Sequence, residues 1–263
     1  MSGKLQLLII DPQNDFCDIH GAALPVAGAC DDLGRVAALI ERLGPRLDSI
    51  HVTLDTHNPI DIAHPGWWQD RQGDAPAPFT VIGVDDVASG AWRTRDPARQ
   101  AQSEAYVRTL AARGRYQLVV WPEHCLIGGW GHNVEAGLFD VLGDWARQRL
   151  RLVNYVQKGM NEATEHYSAI QAEVPDADDP RTRPDLRWIA RLAEADTLLV
   201  AGQALSHCVA ATVRDLVTYI PPERIVLLTD CSSPVPGFET LGELFVAELS
   251  ARGMRLATAE DWR

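Results

Sequence analysis

The sequence predicts an α/β fold: a doubly wound, Rossmann-like parallel sheet of about six strands with helices on both faces. Three observations carry that reading. Short apolar runs rich in Val, Ile and Leu recur with little polar alternation, as strands buried on both faces require. Segments with helical apolar spacing lie between several of them. Reactive polar residues follow directly on the runs, at the strand ends where an open α/β sheet gathers its ligand-binding groups.

Taken in order, residues 5–10 form the first strand and end at Asp11. Residues 29–47 follow as a helix, with Leu33, Val36, Leu39, Ile40 and Leu43 on one face. Residues 50–54 are the second strand, closing on Asp55, and residues 117–121 and 150–156 read as the third and fourth. Residues 197–201 lead into a helix over 207–220, whose Val209, Val213, Leu216, Val217 and Ile220 share a face. Residues 224–229 are the sixth strand, and 237–252 close the alternation with Leu241, Leu244, Phe245 and Leu249. The Gly-, Pro- and Asp-rich stretches 69–100 and 175–184 stand outside this rhythm and read as surface insertions. Neither leaves enough chain beyond it for a second core, so residues 1–263 are expected to form one domain.

Composition limits the partners. With 36 acidic against 24 basic side chains the formal net charge is −12, which disfavours nucleic acid and anionic membrane surfaces and leaves a small soluble molecule as the expected partner. No apolar run approaches the roughly 18 residues of a membrane span, and the opening segment lacks a signal-peptide pattern. The five cysteines (17, 30, 125, 208 and 231) are scattered, without a CxxC pair, which suits a reducing cytoplasm better than a disulfide framework.

The strand ends collect a coherent set: Asp11, then Asp55 with His57, then His124, Lys158 and Cys208. Cys208 lies in a strand-to-helix turn, where unpaired N–H groups favour thiolate over thiol. Alone, it reads equally as a buried structural thiol. A carboxylate beside the sulfur would take its proton and return it to a leaving amine, and an ammonium would hold both charges; Asp11 and Lys158 are of the right types, although each also reads as a turn residue. Asp55, His57, His64 and His124 offer N/O donors suited to one divalent ion, Zn²⁺ first, with Mn²⁺ or Fe²⁺ as alternatives. His64 otherwise reads as a loop histidine before Pro65 and Gly66.

Taken together, Asp11-Pro-Gln-Asn-Asp-Phe16, Asp55-x-His57, Trp121-Pro-x-His124-Cys125, Lys158-Gly159 with Tyr167-Ser-Ala169, and His207-Cys208-Val209 resemble the nicotinamidase branch of the isochorismatase-like cysteine hydrolases over most of the chain. The resemblance implies Asp11 as general base, Lys158 as its lysine and Cys208 as nucleophile, with Asp55, His57, His64 and His124 on the metal. It implies a cis Gln203–Ala204 peptide, an oxyanion hole from the N–H groups of Ala204 and Cys208, and a substrate site lined by Phe16, Trp121, Tyr167 and His207. The implied activity is hydrolysis of nicotinamide, or of pyrazinamide as a surrogate, to the acid and ammonia through a thioester; the oligomeric state is left open between monomer and homo-oligomer.

Several segments depart from the pattern. Trp67-Trp68 after His64, and Trp130-Gly131-His132, suggest a bulkier wall and hence another small amide or carbamoyl compound. Metal-free vinyl-ether hydrolysis and a non-catalytic binding protein on the same fold are the remaining readings, disfavoured by the ligand set and by the joint presence of Asp11, Lys158 and Cys208. Asn161, Glu162, Glu165 and His166 are expected to face solvent more than the site opening. His20 and His132 read as surface residues, His51 as a packed core residue, and the cysteines other than Cys208 as non-catalytic.

Overall fold

The computed structural model describes residues 3–262. The chain runs through β1 (Leu5–Ile10), α1 (Ala29–Leu43), β2 (Leu47–Asp55), the short strands β3 (Trp68–Gln69) and β4 (Val81–Ile82), α2 (Val84–Ala88), β5 (Arg93–Thr94), α3 (Gln100–Arg113) and β6 (Leu118–Val119). It continues through α4 (Ala136–Arg149), β7 (Asn154–Lys158), α5 (Leu186–Leu192), β8 (Thr197–Gly202), α6 (Ala210–Leu216), β9 (Ile225–Leu228), α7 (Glu239–Ala251) and β10 (Arg255–Ala257). Six of the strands make one parallel sheet in the order β10-β9-β8-β1-β2-β7.

The central strand β1 explains the unalternating apolar runs. Leu7 and Ile9 face one way, onto Leu33, Val36, Leu39 and Ile40 of α1 and Leu138, Leu142 and Trp145 of α4. Leu8 and Ile10 face the other, among Trp188 of α5, Val213 and Leu216 of α6, and Phe245 and Leu249 of α7. Each such side chain removed from water contributes about 1.5–3 kcal/mol, so a strand between two helical layers must be apolar on both faces. Gly202 ends β8 at φ +110°, where a Cβ would lie 2.0 Å from Ile10 O; only glycine fits this close approach of β8 to β1.

Several expected elements move. Residues 117–121 are not a strand of the main sheet: Leu118–Val119 pairs antiparallel with Val81–Ile82 of the 69–100 insertion, which supplies the covering layer that made the run apolar. The sixth parallel strand is Arg255–Ala257, an edge strand too exposed to leave an apolar run. The fourth expected strand begins at Asn154, because Leu150 ends α4 in the left-handed region at φ +50° and both Leu150 and Leu152 are exposed. Helices α3, α4 and α5, unassigned from the sequence, bury only short faces such as Tyr106, Val107 and Leu110 of α3. The 69–100 insertion carries β4, α2 and β5 and most of the β3–β5 ribbon, and the 175–184 segment holds a single 3-10 turn with Thr182 buried.

The chain after β7 packs more deeply than its polar sequence suggests. Glu165, His166 and Glu173 are all buried, against the expectation of solvent for the first two, whereas Asn161 and Glu162 are partly exposed. Glu173 lies 3.9 Å from Arg115, which spends its other nitrogen on Asp215 at 2.8 Å. Burial raises the Glu173 carboxyl to about 7, with Arg115 opposing and Asp215 adding to the rise. Between its ordinary value of 4.5 and about 7 the folded chain therefore holds a proton that the unfolded chain releases, and stability falls as pH rises through that window. Glu173→Gln should flatten this part of the melting temperature against pH and raise the melting temperature at pH 8; parallel profiles for the two proteins would refute the assignment.

Candidate active site

Four neighbouring strand ends build the first half of the site: Cys208 follows β8, Asp11 follows β1, Asp55 ends β2 and Lys158 ends β7. Lys158 is the hub. Its Nζ lies 2.9 Å from Asp11 Oδ2, 3.0 Å from Asp55 Oδ1 and 3.5 Å from Cys208 Sγ, and donates to His166 O at 3.0 Å. The carboxylates and the sulfur lie within 4.8 Å of one another, and all four residues are buried. The catalytic set expected from sequence is thus brought together. His124 comes from elsewhere, since the run before it is not a main-sheet strand.

Local backbone aims these groups. Asp11 takes φ +42°, uncommon for a residue with a side chain and typical of strained functional positions. Thr53, two residues before Asp55 on the same face of β2, donates to Asp11 Oδ1 at 2.5 Å and accepts from Asp11 N at 3.0 Å. Gln13 clamps Asp55 from its backbone, donating to Asp55 O at 2.8 Å and accepting from Asp55 N at 2.7 Å. Asp15 receives Cys125 N at 2.7 Å and Ala23 N at 3.0 Å. The first motif therefore fixes the neighbouring loops as well as supplying Asp11. Sequence reading missed Thr53, although its period-two spacing from Asp55 was the available signal.

The turn that carries Cys208 is equally constrained. The Gln203–Ala204 peptide is cis, as expected, and residues 205–209 form one wide helical turn ahead of α6. Gln203 N donates to Ile10 O at 2.8 Å, its side chain donates to Asp32 at 2.9 Å, and Leu205 N donates to Ser233 O at 2.8 Å. Ala204 O takes the N–H groups of His207 and Val209 at 3.1 Å each.

Burial, opposed by Lys158 and reinforced by Asp11 and Asp55, pushes the Cys208 thiol well above its ordinary value, against the pull of its place at a helix start. Burial also raises Asp11 against the pull of Lys158. Lys158 stays charged because the two carboxylates outweigh its burial.

Beside this cluster, His57, His64 and His124 converge, with one nitrogen from each within 4.8 Å of the others. His57 Nδ1 lies 3.0 Å from Asp61 Oδ2, and His64 Nδ1 lies 3.2 Å from Asn58 O. Both rings thereby direct Nε2 inward, the arrangement of metal-binding imidazoles. His124 Nδ1 is 2.9 Å from Pro122 O and 3.3 Å from His64 Nε2. Asp55 bridges the two clusters: Oδ1 is 3.2 Å from His57 Nε2 and Oδ2 is 3.4 Å from His124 Nε2. Burial, with His124 and His57 adding to it, lowers His64 to about 2 and keeps the imidazole neutral. Three imidazole nitrogens with the Asp55 carboxylate at their edge make a donor set that fits one divalent ion. Asp61, unassigned from the sequence, sits midway in the loop between two of the imidazoles.

The expected substrate-contact residues form an aromatic wall. Trp121 donates from Nε1 to Tyr167 Oη at 3.0 Å and meets His207 edge-on at 5.2 Å, while Phe16 meets His124 edge-on at 5.5 Å. His207 is buried against Tyr116 and Phe238, and burial lowers it to about 3, so it is neutral. The 69–100 insertion reaches this wall: Phe79, at φ +69° and half exposed, packs edge-on against Trp121 at 5.8 Å. Trp67 and Trp68, expected as a bulkier wall, are buried with their N–H groups on Ser103 and on Ile62 O. His51 is core, as expected, accepting from Trp188 at 3.0 Å, whereas His132 is partly buried against Thr56. All five cysteines are free.

No family model and no curated protein matches the chain. Solved structures do. A nicotinamidase/pyrazinamidase of Acinetobacter baumanii is 20% identical, with 100% of both chains covered at a TM-score of 0.68. The yeast nicotinamidase bound to the inhibitor nicotinaldehyde is 19% identical, with 97% of this chain and 99% of that one covered at 0.66. The pyrazinamidase of Pyrococcus horikoshii in complex with zinc is 18% identical, with 97% and 99% covered at 0.57. The chain therefore has the isochorismatase-like hydrolase fold that these structures share.

Lys158→Met should destabilise the metal-free protein by about 3–5 kcal/mol, because it strands two buried carboxylates without their counter-charge. The measurement is the urea midpoint, and a change below about 1 kcal/mol would contradict the charge balance described above.

Proposed function

We propose that the chain is a metal-dependent cysteine amidohydrolase of the nicotinamidase type, one domain that converts nicotinamide to nicotinate and ammonia. The observation that carries this reading is the buried contact of Lys158 with Asp11, Asp55 and Cys208 beside three convergent imidazoles. The nicotinamidase folds described above support it.

Asp11 accepts the Cys208 proton as the sulfur attacks the amide carbon, forming the C–S bond while Lys158 balances the charge. The carbonyl oxygen becomes an oxyanion, for which the N–H groups of Ala204 and Cys208 are the assigned donors. Collapse breaks the C–N bond, and Asp11 returns its proton to the nitrogen, which leaves as ammonia. Water then attacks the thioester, giving one proton to Asp11; the C–S bond breaks, the acid departs and the sulfur regains its proton. Phe16, Trp121, Tyr167 and His207 would hold a flat ring and exclude water. An ion held by His57, His64 and His124, with Asp55 at its edge, would supply a positive pole that binds and orients a lone pair of the substrate. Zinc suits the imidazole-rich donors and occupies the Pyrococcus structure, with manganese or iron as alternatives.

A second reading keeps the chemistry and changes the substrate to another small aromatic amide, favoured by the apolar edge that Phe79 adds at Trp121. Among the described residues no helix is long and apolar enough to cross a membrane, and five free thiols suit a reducing compartment such as the cytoplasm.

Ammonia release from nicotinamide, pyrazinamide and a panel of small amides is the test, run with and without chelator. Cys208→Ala should lose at least about 10³-fold in kcat while keeping its bound metal. Turnover surviving that substitution would end the thiol mechanism; success on another amide with failure on nicotinamide selects the second reading.

A further inference from the structure

The segment between His57 and His64 turns on one side chain that the chemistry above does not use. Asp61 is buried, and both of its oxygens accept: Oδ2 from His57 Nδ1 at 3.0 Å and Oδ1 from Ala63 N at 2.9 Å. Its carbonyl accepts His64 N at 2.9 Å, and Ala63 O, at the same turn, accepts Trp121 N at 2.7 Å. One residue therefore meets one imidazole through its side chain and sets the backbone path to the next.

We propose that Asp61 is the positioning residue of the ion site: it holds the His57 proton on Nδ1 and so keeps Nε2 bare for the ion. This rests on the reading of His57 as an ion ligand. The chemistry is that of a carboxylate behind an imidazole, which fixes both the tautomer and the ring orientation and raises the basicity of the far nitrogen.

The two contacts make an asparagine at this position a selective probe. A carboxylate accepts at both oxygens, whereas an amide offers one acceptor and one donor. In either orientation Asp61→Asn sets its NH₂ against a donor. The Ala63 amide cannot move its proton, but the His57 ring can, from Nδ1 to Nε2. The low-energy solution keeps the turn intact and protonates the nitrogen that the ion needs. A packing role predicts something different, namely loss of stability with an unchanged site.

Zinc affinity of the purified protein, measured by competition with a chromogenic chelator, should fall roughly 10–100-fold in Asp61→Asn. The cobalt-substituted variant should show an altered visible absorption band, while far-UV circular dichroism of the metal-free variant stays that of wild type. Zinc affinity within twofold of wild type and an unchanged cobalt band would overturn the role of Asp61. Failure of the wild-type protein itself to bind zinc or cobalt would instead overturn the ion site. Should the variant not fold, long-range ¹H–¹⁵N correlation on the zinc-loaded wild type decides: His57 protonated on Nδ1 supports the proposal, and His57 protonated on Nε2 sinks it.

Discussion

The site depends on one ammonium held out of water. Lys158 has no solvent to stabilise its charge, so it stays charged only because Asp11 and Asp55 flank it, and its own charge opposes the burial that favours their neutral forms. An isolated charge at this depth would cost several kcal/mol, so the three groups form one unit. The Cys208 sulfur joins that unit at 3.5 Å from Lys158 Nζ, so its proton affinity is set by the group rather than by the cysteine alone.

The sheet makes this unit possible at little conformational cost. β8, β1, β2 and β7 are adjacent and parallel, so their carboxyl ends finish at one level and present sulfur, carboxylate, carboxylate and ammonium side by side. Asp55 and Lys158 are direct partners in the β2–β7 pairing, which fixes their separation by backbone hydrogen bonds rather than by side-chain rotamers. Gly159 continues the economy of space: at φ +81° it lies where a Cβ would come within 2.9 Å of Asp55 Oδ1, so the chain leaves β7 directly behind the carboxylate that joins the two clusters. The imidazoles come from loops, and loops need their own supports; Asp61, Asn58 O and Pro122 O serve that purpose.

Much of this was legible before any coordinates. Strands buried on both faces announce themselves as uninterrupted apolar runs, and the residues that follow them are the ones that meet. Legibility failed where burial and sequence pattern part company. Residues 117–121 are apolar because the 69–100 insertion covers them, not because they belong to the main sheet. β10 does belong to it but is exposed, and so left no apolar run. Glu165 and His166 look like solvent-facing residues, yet they sit inside because His166 serves the site through its backbone carbonyl, a contact that side-chain identity does not encode. Thr53 and Asp61 act by hydrogen bonding to residues distant in sequence or across a turn, and only the folded geometry names their partners. At Cys208 a helix start favours thiolate, whereas burial and two carboxylates within 4.8 Å favour the thiol, and only the folded geometry sets these side by side.

The segment that carries Phe79 to Trp121 supplies no strand to the parallel sheet and none of the four charged or sulfur groups. Its contribution to the aromatic wall is therefore physically separable from the cluster of Asp11, Asp55, Lys158 and Cys208. Exchange of residues 69–100 would recast the edge of that wall at Trp121 while the charged cluster at the strand ends keeps its own supports, and it gives diversification of this fold a modular starting point.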